Sequence, residues 1–415
     1  MGVEGSVVIS GRRAAGLGFL FAALAFCQGV AEPADGLAAQ PAWSLLKRWG
    51  HGPADLGVFS MGVGLVWAMK PAFGLLTDFV PLFGRRRRNY LILAGGLAAV
   101  AMFGPALLPA PMSSSSRFAW LLAWMALATL AWSFADVVAD ALLIDRGRDS
   151  GLVGRFQAAQ WAAAYLAGIV AGVGGGWLSQ GAREPLGFAL CGLAATGTML
   201  LAAFAVREAR VSGPRLGLGD ALGALTAAAR SPRLLAASAF LFAWNFNPFS
   251  GVVLYLHLTG TLGLSEAAYG LTQSATAVGS ILGCALYPSL ARRVAAPTLA
   301  RLSIPLGVAS TLAFAGATGQ ASAVAASLVV GVLYMVATLI QLDLAASACP
   351  PGAAGTSFAV LMALENLAAS TSAGLGGWAY EAGCARWGPT AAFAALVLAG
   401  SAATASSRLL LPRER

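Results

Sequence analysis

Apolar runs, each about as long as a membrane-spanning helix, follow one another along the whole chain. About 20 apolar residues suffice for a helix to cross the hydrocarbon core of a bilayer, and twelve segments reach this length. They lie at residues 14–31 (or to 42 if the helix continues), 56–76, 89–110, 118–144, 154–180, 186–206, 234–257, 267–290, 299–318, 321–346, 354–378 and 388–407. The pattern predicts an all-α integral membrane protein of twelve transmembrane helices, without a separate soluble domain.

A more polar stretch at residues 207–233 divides these segments into two sets of six. It contains Gly213-Pro214 and five arginines, a composition typical of a linker. A faint internal repeat at an offset of 201 residues supports the division, since Gly175-Gly176-Trp177 matches Gly376-Gly377-Trp378. Two pseudo-symmetric six-helix repeats are typical of the major facilitator fold, in which solute binds near the midplane. The predicted units are an N-terminal half at 1–206, a cytoplasmic linker at 207–233 and a C-terminal half at 234–415.

Composition and charge agree with a membrane protein. Hydrophobic residues make up 58% and charged residues 10% of the 415 residues, whereas soluble domains average about 25% charged residues. With the amino terminus inside, 20 basic residues fall on the cytoplasmic side and five outside. Because short basic loops stay inside, we predict a multi-pass protein of the inner membrane with both termini cytoplasmic. The net charge of +9 then reflects topology and does not indicate a nucleic-acid partner.

The chain lacks the residue combinations that metal, redox or hydrolytic chemistry needs. Its five cysteines are scattered without a CxxC pair, and His51 and His257 are the only histidines. Neither a Ser-His-Asp set nor a Cys and His metal site can be assembled from these positions. We therefore predict that the protein is not an enzyme and uses no cofactor or metal.

Two apolar segments carry polar residues where a plain membrane helix would have none. Lys70 lies inside the second segment, and a lysine at membrane depth is costly unless it faces water or a partner. Asn245, Asn247 and Pro248 interrupt the seventh segment. Irregular backbone is tolerated in a membrane only where it is buried in protein or lines a cavity. We predict that both places face the interior of the bundle.

The turn after the second segment is a candidate gate. Asp78 ends the segment, and six residues later Gly84 opens a run of four arginines. Such acids and arginines can pair when a cytoplasmic entrance closes and separate when it opens. The predicted gating residues are Asp78, Gly84, Arg85, Arg86 and Asp145, whereas Arg87 and Arg88 are interpreted as topology signals alone.

Acids inside the predicted helices are candidates for proton coupling. Asp136 and Asp140 are four residues apart and therefore share a helical face, where two carboxylates are costly to ionise together. Glu365 in the eleventh segment is a further candidate. The alternative is that Asp136 or Asp140 pairs permanently with Lys70 or a cytoplasmic arginine, and for Asp140 we favour such a clamp.

Polar side chains of other helices are candidate substrate ligands. Glu32 belongs to the cavity if the first helix runs on to residue 42, and is a solvated loop residue if the helix ends at 31. Gln157, Trp161 and Tyr165 recur every four residues, so this stripe either binds a planar polar solute or packs. The predicted substrate-binding set is Lys70, Gln28, Glu32, Gln157, Trp161, Tyr165, Asn245 and Asn366.

Motifs in both halves resemble one known family. The second and third segments follow the pattern W-x-x-K-P-x-x-G-x-x-x-D-x-x-P-x-x-G-x-R-R, from Trp67 through Lys70-Pro71, Gly74, Asp78, Pro81 and Gly84 to Arg87. Further matches are Gln28-Gly29, Asp136-Val137-Val138 with Asp140, Cys349-Pro350, Gly352, Gly355-Thr356, Phe358-Ala359 and Asn366. Over most of its length the chain resembles the folate–biopterin transporter branch of the major facilitator superfamily. The resemblance implies transport of a small organic solute such as a pterin, a folate or another organic anion.

We therefore expect a secondary transporter that works by alternating access and is coupled to protons through Asp136, Asp140 or Glu365. Lys70 would bind an anionic group of the solute or pair with Asp136. The expected partners are the solute, protons and the lipid bilayer, and the expected state is a monomer. Two alternatives stay open: an exporter of an amphipathic drug or natural product, and a non-transporting assembly factor or sensor with the same fold.

Overall fold

The computed structural model of the protein describes residues 11–107, 112–148, 150–210, 230–349 and 354–411, with the single positions 219, 223 and 226. These residues are almost entirely helical, and eleven of their helices are long and apolar enough to cross a membrane. The second predicted segment, counted here as one span at Pro53–Phe79, is divided by a 3₁₀ turn, and the seventh forms two shorter helices instead of one. The prediction of an all-α membrane protein is confirmed.

The helices alternate in direction between two ends of one bundle. We call the end that carries the loop before Arg88 the arginine end and the opposite end the far end. The α-helices of the described residues are α1 Gly11–Ala31, α2 Ala39–Arg48, α3 Pro53–Gly64, α4 Lys70–Phe79, α5 Arg88–Ala106, α6 Ser114–Gly147, α7 Val153–Leu178, α8 Glu184–Phe204, α9 Pro232–Asn245, α10 Gly251–Leu256, α11 Glu266–Ala291, α12 Ala296–Ala313, α13 Gln320–Ala348, α14 Ala354–Trp387 and α15 Pro389–Ser406. The predicted linker at 207–233 lies largely outside the described residues.

Three spans are interrupted beside a proline. α1 ends just before Pro33, a 3₁₀ turn at Leu65–Met69 separates α3 from α4 just before Pro71, and α9 ends before Pro248. Proline cannot donate a helical hydrogen bond, and its ring clashes with the carbonyl four residues earlier. Since exposed backbone groups are not tolerated against lipid, the three breaks indicate the inner surface of the bundle. The predicted interruption of the seventh segment is confirmed.

We refer to α1–α8 as the N-terminal half and to α9–α15 as the C-terminal half, after the predicted division of the chain. Two helix pairs join the halves most extensively, α3 with α14 and α7 with α11. A Cβ atom at Gly57 would lie 2.8 Å from the Ala373 carbonyl oxygen, and one at Gly176 would lie 3.0 Å from the Ala267 Cα atom. Glycine therefore lets the backbones of the two halves approach closely, and both contacts lie toward the far end.

Candidate functional site

An ion pair between Lys70 and Asp136 forms the centre of the candidate site. The Lys70 Nζ atom lies 2.6 Å from Asp136 Oδ2, and the two side chains are 23% and 16% exposed. The other carboxylate oxygen of Asp136 accepts a hydrogen bond of 2.7 Å from Gln28 Nε2. Three predicted residues on α1, α4 and α6 thus meet at one point.

Lys70 occupies its position because α4 begins there. Pro71 cannot donate to the Trp67 carbonyl, which accepts instead from the Lys70 backbone N–H in the 3₁₀ turn. The Lys70 Nζ atom also lies 4.4 Å from the centroid of the Trp67 ring, an attractive cation–π distance. The indole N–H of Trp67 in turn donates a 3.1 Å hydrogen bond to Glu32 Oε1. A chain of polar contacts therefore leads from Asp136 through Lys70 and Trp67 to Glu32.

The position of Glu32 differs from both sequence-based alternatives. The helix ends at Ala31, yet Glu32 is buried with 9% of its surface exposed. Its Oε2 atom accepts hydrogen bonds from the backbone N–H groups of Ala34 and Asp35, at 2.9 and 2.7 Å. The carboxylate therefore binds the free backbone N–H groups of the turn at Pro33. Glu32 stays buried although the helix ends before it. The interpretation as a solvated loop residue is wrong.

Two further acids lie near the same lysine. Asp140, one helical turn from Asp136, accepts a 2.8 Å hydrogen bond from Gln160 Nε2 on α7. Asp140 and Glu365 both lie close enough to Lys70 to interact with it electrostatically. Glu365 belongs to α14, so the cluster joins carboxylates of both halves around one amine. The expected cationic clamp on Asp140 is replaced by the Gln160 amide, which was not among the predicted site residues.

The predicted stripe on α7 faces the C-terminal half. The rings of Trp161 and Tyr165 are stacked with centroids 5.9 Å apart. The Tyr165 hydroxyl donates to the Met335 sulfur on α13, which places this face of α7 between the halves. Trp161 is 50% exposed, and Gln157, one turn nearer the arginine end, is exposed as well. Of the three residues of the stripe, Tyr165 is therefore packed, whereas Gln157 and Trp161 are accessible.

The predicted ligands of the C-terminal half differ in their surroundings. Asn245 is buried, and its Nδ2 atom donates to the Leu241 carbonyl and to Gln341 Oε1, at 3.0 and 3.2 Å. These bonds hold the end of α9 against α13 and leave its amide engaged within one half. Asn366 follows Glu365 on α14 and is partly buried, so it lies beside one of the acids within electrostatic reach of Lys70.

The loop between α4 and α5, which carries Arg85 to Arg87 and which we call the arginine loop, contains a bridge that the sequence did not reveal. Arg87 is 8% exposed and contacts two acids, with 2.8 Å from Nη2 to Asp78 Oδ1 and 3.2 Å from Nε to Asp145 Oδ2. Its Nη1 atom donates a 3.0 Å hydrogen bond to Thr77 Oγ1. The interpretation of Arg87 as a topology signal alone is wrong, because its guanidinium ties α4 to α6.

The other loop residues have different contacts. Gly84 has φ +77° and follows Phe83 with φ 50°, a tight turn in which glycine avoids the strain of the left-handed conformation. Arg85 and Arg86, predicted as gating residues, form no ion pair among the residues that the structure describes. Arg88 donates to the Ala203 carbonyl at 2.5 Å, so it too contacts the fold.

Glu208 is a further residue that the sequence analysis missed. Its carboxylate accepts hydrogen bonds from the backbone N–H groups of Arg86, Arg87 and Arg88, at 2.8 to 3.2 Å. These amides open α5, where the first N–H groups of a helix have no internal partners and an anion is favoured. The chain after α8 is thus attached to the arginine loop. Glu208 lies more than 100 residues from that loop, and no local pattern indicates the contact.

Polar and aromatic contacts join the halves at the far end. Gln40 Nε2 donates to Glu266 Oε2 at 2.8 Å, and the Tyr255 hydroxyl donates to Glu266 Oε1 at 2.9 Å. The Trp43 ring packs on Tyr255 with a centroid distance of 5.5 Å. Lys47 Nζ lies 3.1 Å from Thr259 Oγ1. Together with the glycine contacts, these side chains close the far end between α2 and the C-terminal half.

This arrangement of helices is that of the major facilitator fold. Its fold resembles the nucleoside transporter NupG with a TM-score of 0.73 and 12% identity, over 97% of this chain and 99% of the other. A D-xylose-proton symporter superposes with a TM-score of 0.70 and 14% identity, over 97% and 98% of the two chains.

The chain belongs to the BT1 family, whose profile matches residues 28–390. A folate-biopterin transporter of Synechocystis sp. is 29% identical over 343 residues, or 78% of this chain and 67% of the relative. The probable folate-biopterin transporter 5 of Arabidopsis thaliana is 25% identical over 361 residues, 78% and 68% of the two chains. The protein is therefore a multi-pass membrane transporter and not an enzyme, as predicted.

Proposed function

We propose that the protein is a proton-coupled secondary transporter that moves a small organic solute by alternating access. The observation that carries the proposal is the Lys70–Asp136 pair, which three helices of one half hold within electrostatic reach of Glu365 on the other half. An ion pair in a membrane interior contributes little stability compared with well-packed apolar side chains. Its position between the halves is therefore better explained by solute binding than by folding.

Lys70 supplies the charge that an anionic solute needs. Lys70 has Asp136 as its ion-pair partner, so an anionic group of the solute competes with that carboxylate. A proton on Asp136 weakens its hold on Lys70 and frees the amine for the solute. A proton on Asp140 or Glu365 removes further negative charge from the same region. Binding of the proton and binding of the anion then favour each other, which is the requirement for coupled transport.

The solute class that we propose is a pterin, a folate or a similar organic anion. The names of the relatives from Synechocystis and Arabidopsis support this class. The accessible Trp161 ring offers a face for a planar heterocycle. The ring N–H and exocyclic amine of a pterin can donate two hydrogen bonds to one carboxylate, and Glu365 and Asp140 are available acids. In a folate, the glutamate part would supply the carboxylate for Lys70.

We place the arginine end at the cytoplasmic face of the inner membrane, with both termini inside, because short loops rich in arginine resist translocation. The contacts around Glu266, Gly57 and Gly176 then close the outer side. Export of solute requires these contacts to separate while residues 1–206 and 234–415 move relative to one another. The proposed carrier acts as a monomer.

The test is solute-driven proton flux in proteoliposomes that contain the purified protein, with biopterin and folate compared under an imposed pH gradient. Lys70→Ala removes the charge that binds the anionic group, a change that costs about 2–5 kcal/mol in affinity, so we expect at least a 30-fold loss of flux at low solute concentration. Asp136→Asn leaves Lys70 free to bind the solute but removes a carboxylate that would carry the proton, so we expect solute-driven proton flux to be lost while solute binding is kept. Arg386→Ala and Asp55→Asn, at exposed far-end residues outside the contacts between the halves, are the matched controls and should retain flux.

Separate outcomes distinguish the parts of the proposal. Flux of folate but not biopterin that depends on Lys70 assigns the amine to the glutamate part of the solute. Solute uptake without proton movement would exclude proton coupling but leave transport standing. Unchanged flux in both Lys70→Ala and Asp136→Asn would overturn the site itself.

A further inference from the structure

A cavity at the arginine end of the N-terminal half lies apart from the candidate site. It encloses about 380 Å³ between the start of α1, the end of α6 and the residues that follow α8. Arg13, Arg146 and Arg207 are among its lining residues, and no acidic residue of the described part of the chain lines it. The cavity therefore has a concentration of positive charge that neither the Lys70 site nor the Arg87 bridge uses.

Among the described residues, the acids nearest in sequence to these arginines are engaged elsewhere. In the described part of the chain, none of the three arginines forms an ion pair with a carboxylate. Asp145, next to Arg146 in sequence, pairs with Arg87. Glu208, next to Arg207, accepts from the backbone of residues 86–88. Arg146 donates to the Arg207 carbonyl, which holds two of the three arginines together.

The cavity changes from charged to apolar with depth. On α1, Arg13, Leu17 and Phe21 follow at intervals of four residues, and on α6 Leu142 lies one turn inward from Arg146. Each turn advances about 5.4 Å along the helix. α6 has 34 residues and is about 50 Å long, more than the roughly 30 Å hydrocarbon core. Its end at Arg146 therefore reaches the level of lipid head groups, with the apolar lining deeper.

We propose that this cavity binds an anionic phospholipid. Its phosphate lies among the three arginines, and the first part of an acyl chain lies against the half-buried Leu17. Arginine binds phosphate through paired, charge-assisted hydrogen bonds, and basic pockets between transmembrane helices bind anionic head groups. A free phosphate ion would engage the arginines but leave the apolar lining in contact with water. A bound lipid would connect α1, α6 and the chain after α8.

The test compares a cavity variant with a control of equal charge. Arg13→Gln combined with Arg207→Gln removes two exposed arginines of the cavity, and Arg292→Gln combined with Arg293→Gln removes two exposed arginines that follow α11 at the same end. The full-length protein in detergent is titrated with dioctanoyl phosphatidylglycerol while Tm is recorded. Dioctanoyl phosphatidylcholine and inorganic phosphate are titrated in parallel.

We expect phosphatidylglycerol to raise Tm of the original protein and of the control variant with the same half-saturating concentration. In the cavity variant that concentration should rise about 25-fold, because each basic residue near anionic lipid contributes roughly fivefold in affinity. A lipid-free Tm close to that of the original protein shows that the double variant folds. If the double variant does not fold, the single variant Arg207→Gln is used instead, and its half-saturating concentration should rise roughly fivefold.

Three results would overturn the assignment. The first is an equal response of the cavity variant and the control, which would place lipid binding elsewhere. The second is a phosphate response at the same concentrations as phosphatidylglycerol, which would define a free-anion site. The third is the absence of a phosphatidylglycerol effect on the original protein.

Discussion

The two ends of the bundle are held together in different ways. At the far end, the described contacts join one half to the other: Gln40 to Glu266, and α3 and α7 to helices of the C-terminal half. At the arginine end, the bridge from Arg87 to Asp78 and Asp145 stays within the N-terminal half. The difference indicates that the far end determines how the halves are placed relative to each other. The arginine end instead stabilises one half.

The largest expected effect comes from Gly57→Ala. A Cβ atom there would lie 2.8 and 2.9 Å from backbone atoms of Ala373 and Gly377, and such overpacking costs about 1–3 kcal/mol. We expect the closed far end to become less stable, relative to the separated far end, by the same free energy. Spin labels at Ser115 and Arg386 in a cysteine-free background would report a longer distance. Gly154→Ala is the control because its Cβ would meet nothing within 4 Å; equal distances in both variants would contradict the comparison.

Arg87→Ala should act within one half. It removes two ion-pair contacts and the hydrogen bond to Thr77, but Asp78 and Asp145 are each more than half exposed, which reduces the effect. We expect a loss of about 2 kcal/mol in unfolding free energy, measured by denaturant titration in detergent. Arg85→Ala should change it little, and a changed Ser115–Arg386 distance would argue against a role confined to one half.

Glu266→Ala should open the far end to a smaller extent than Gly57→Ala. It removes the acceptor for Gln40 and Tyr255, and the net contribution of such hydrogen bonds is about 1 kcal/mol each. The same spin-label pair should show a modest increase of the longer distance. Asp55→Asn, which alters an exposed far-end acid that contacts His51, should leave the distribution unchanged; a similar change there would remove the assignment to Glu266.

Glu208→Gln should have the smallest effect. The substitution removes the negative charge from the start of α5 but keeps an acceptor, so we expect about 0.5–1 kcal/mol. The readout is hydrogen exchange of the backbone amides at residues 86–88, which should become faster. Asp78→Asn leaves those amides bonded and should not accelerate them. Equal protection in Glu208→Gln and the original protein would show that water replaces the carboxylate without loss.

The spans and the interruption of the seventh segment could be predicted because both follow from local chemistry, whereas the 3₁₀ turn at Leu65–Met69 within the predicted helix 56–76 was not predicted. Apolar length determines which segments cross a membrane, and proline removes a backbone donor at a known position. The pairing of Lys70 with Asp136 was one of two stated alternatives, since a buried amine needs a partner. The seventh segment was recognised as interrupted because Pro248 and two asparagines lie within it.

The contacts of the arginine loop could not be predicted from the sequence. Arg85 to Arg88 are chemically identical, and the turn at Phe83 and Gly84 decides which of them points at Asp78 and Asp145. The prediction for Glu32 was wrong for another reason. It made the burial of Glu32 depend on the length of the first helix, whereas the Glu32 carboxylate accepts hydrogen bonds from the turn that ends that helix. Gln160 was overlooked because the four-residue stripe through Gln157 and Trp161 excludes it, although α6 lies on that side.

The short 3₁₀ turn before Lys70 has a mechanical consequence. It separates α3, which the glycine contact fixes to α14, from α4, which ends in the arginine loop. A continuous helix would transmit any tilt from one membrane surface to the other as a stiff rod, whereas this span can bend at Trp67–Lys70. We expect the amine to lie close to the pivot, where displacement is least while the outer segments swing. A bound solute could then keep its charged contact as the entrance changes sides.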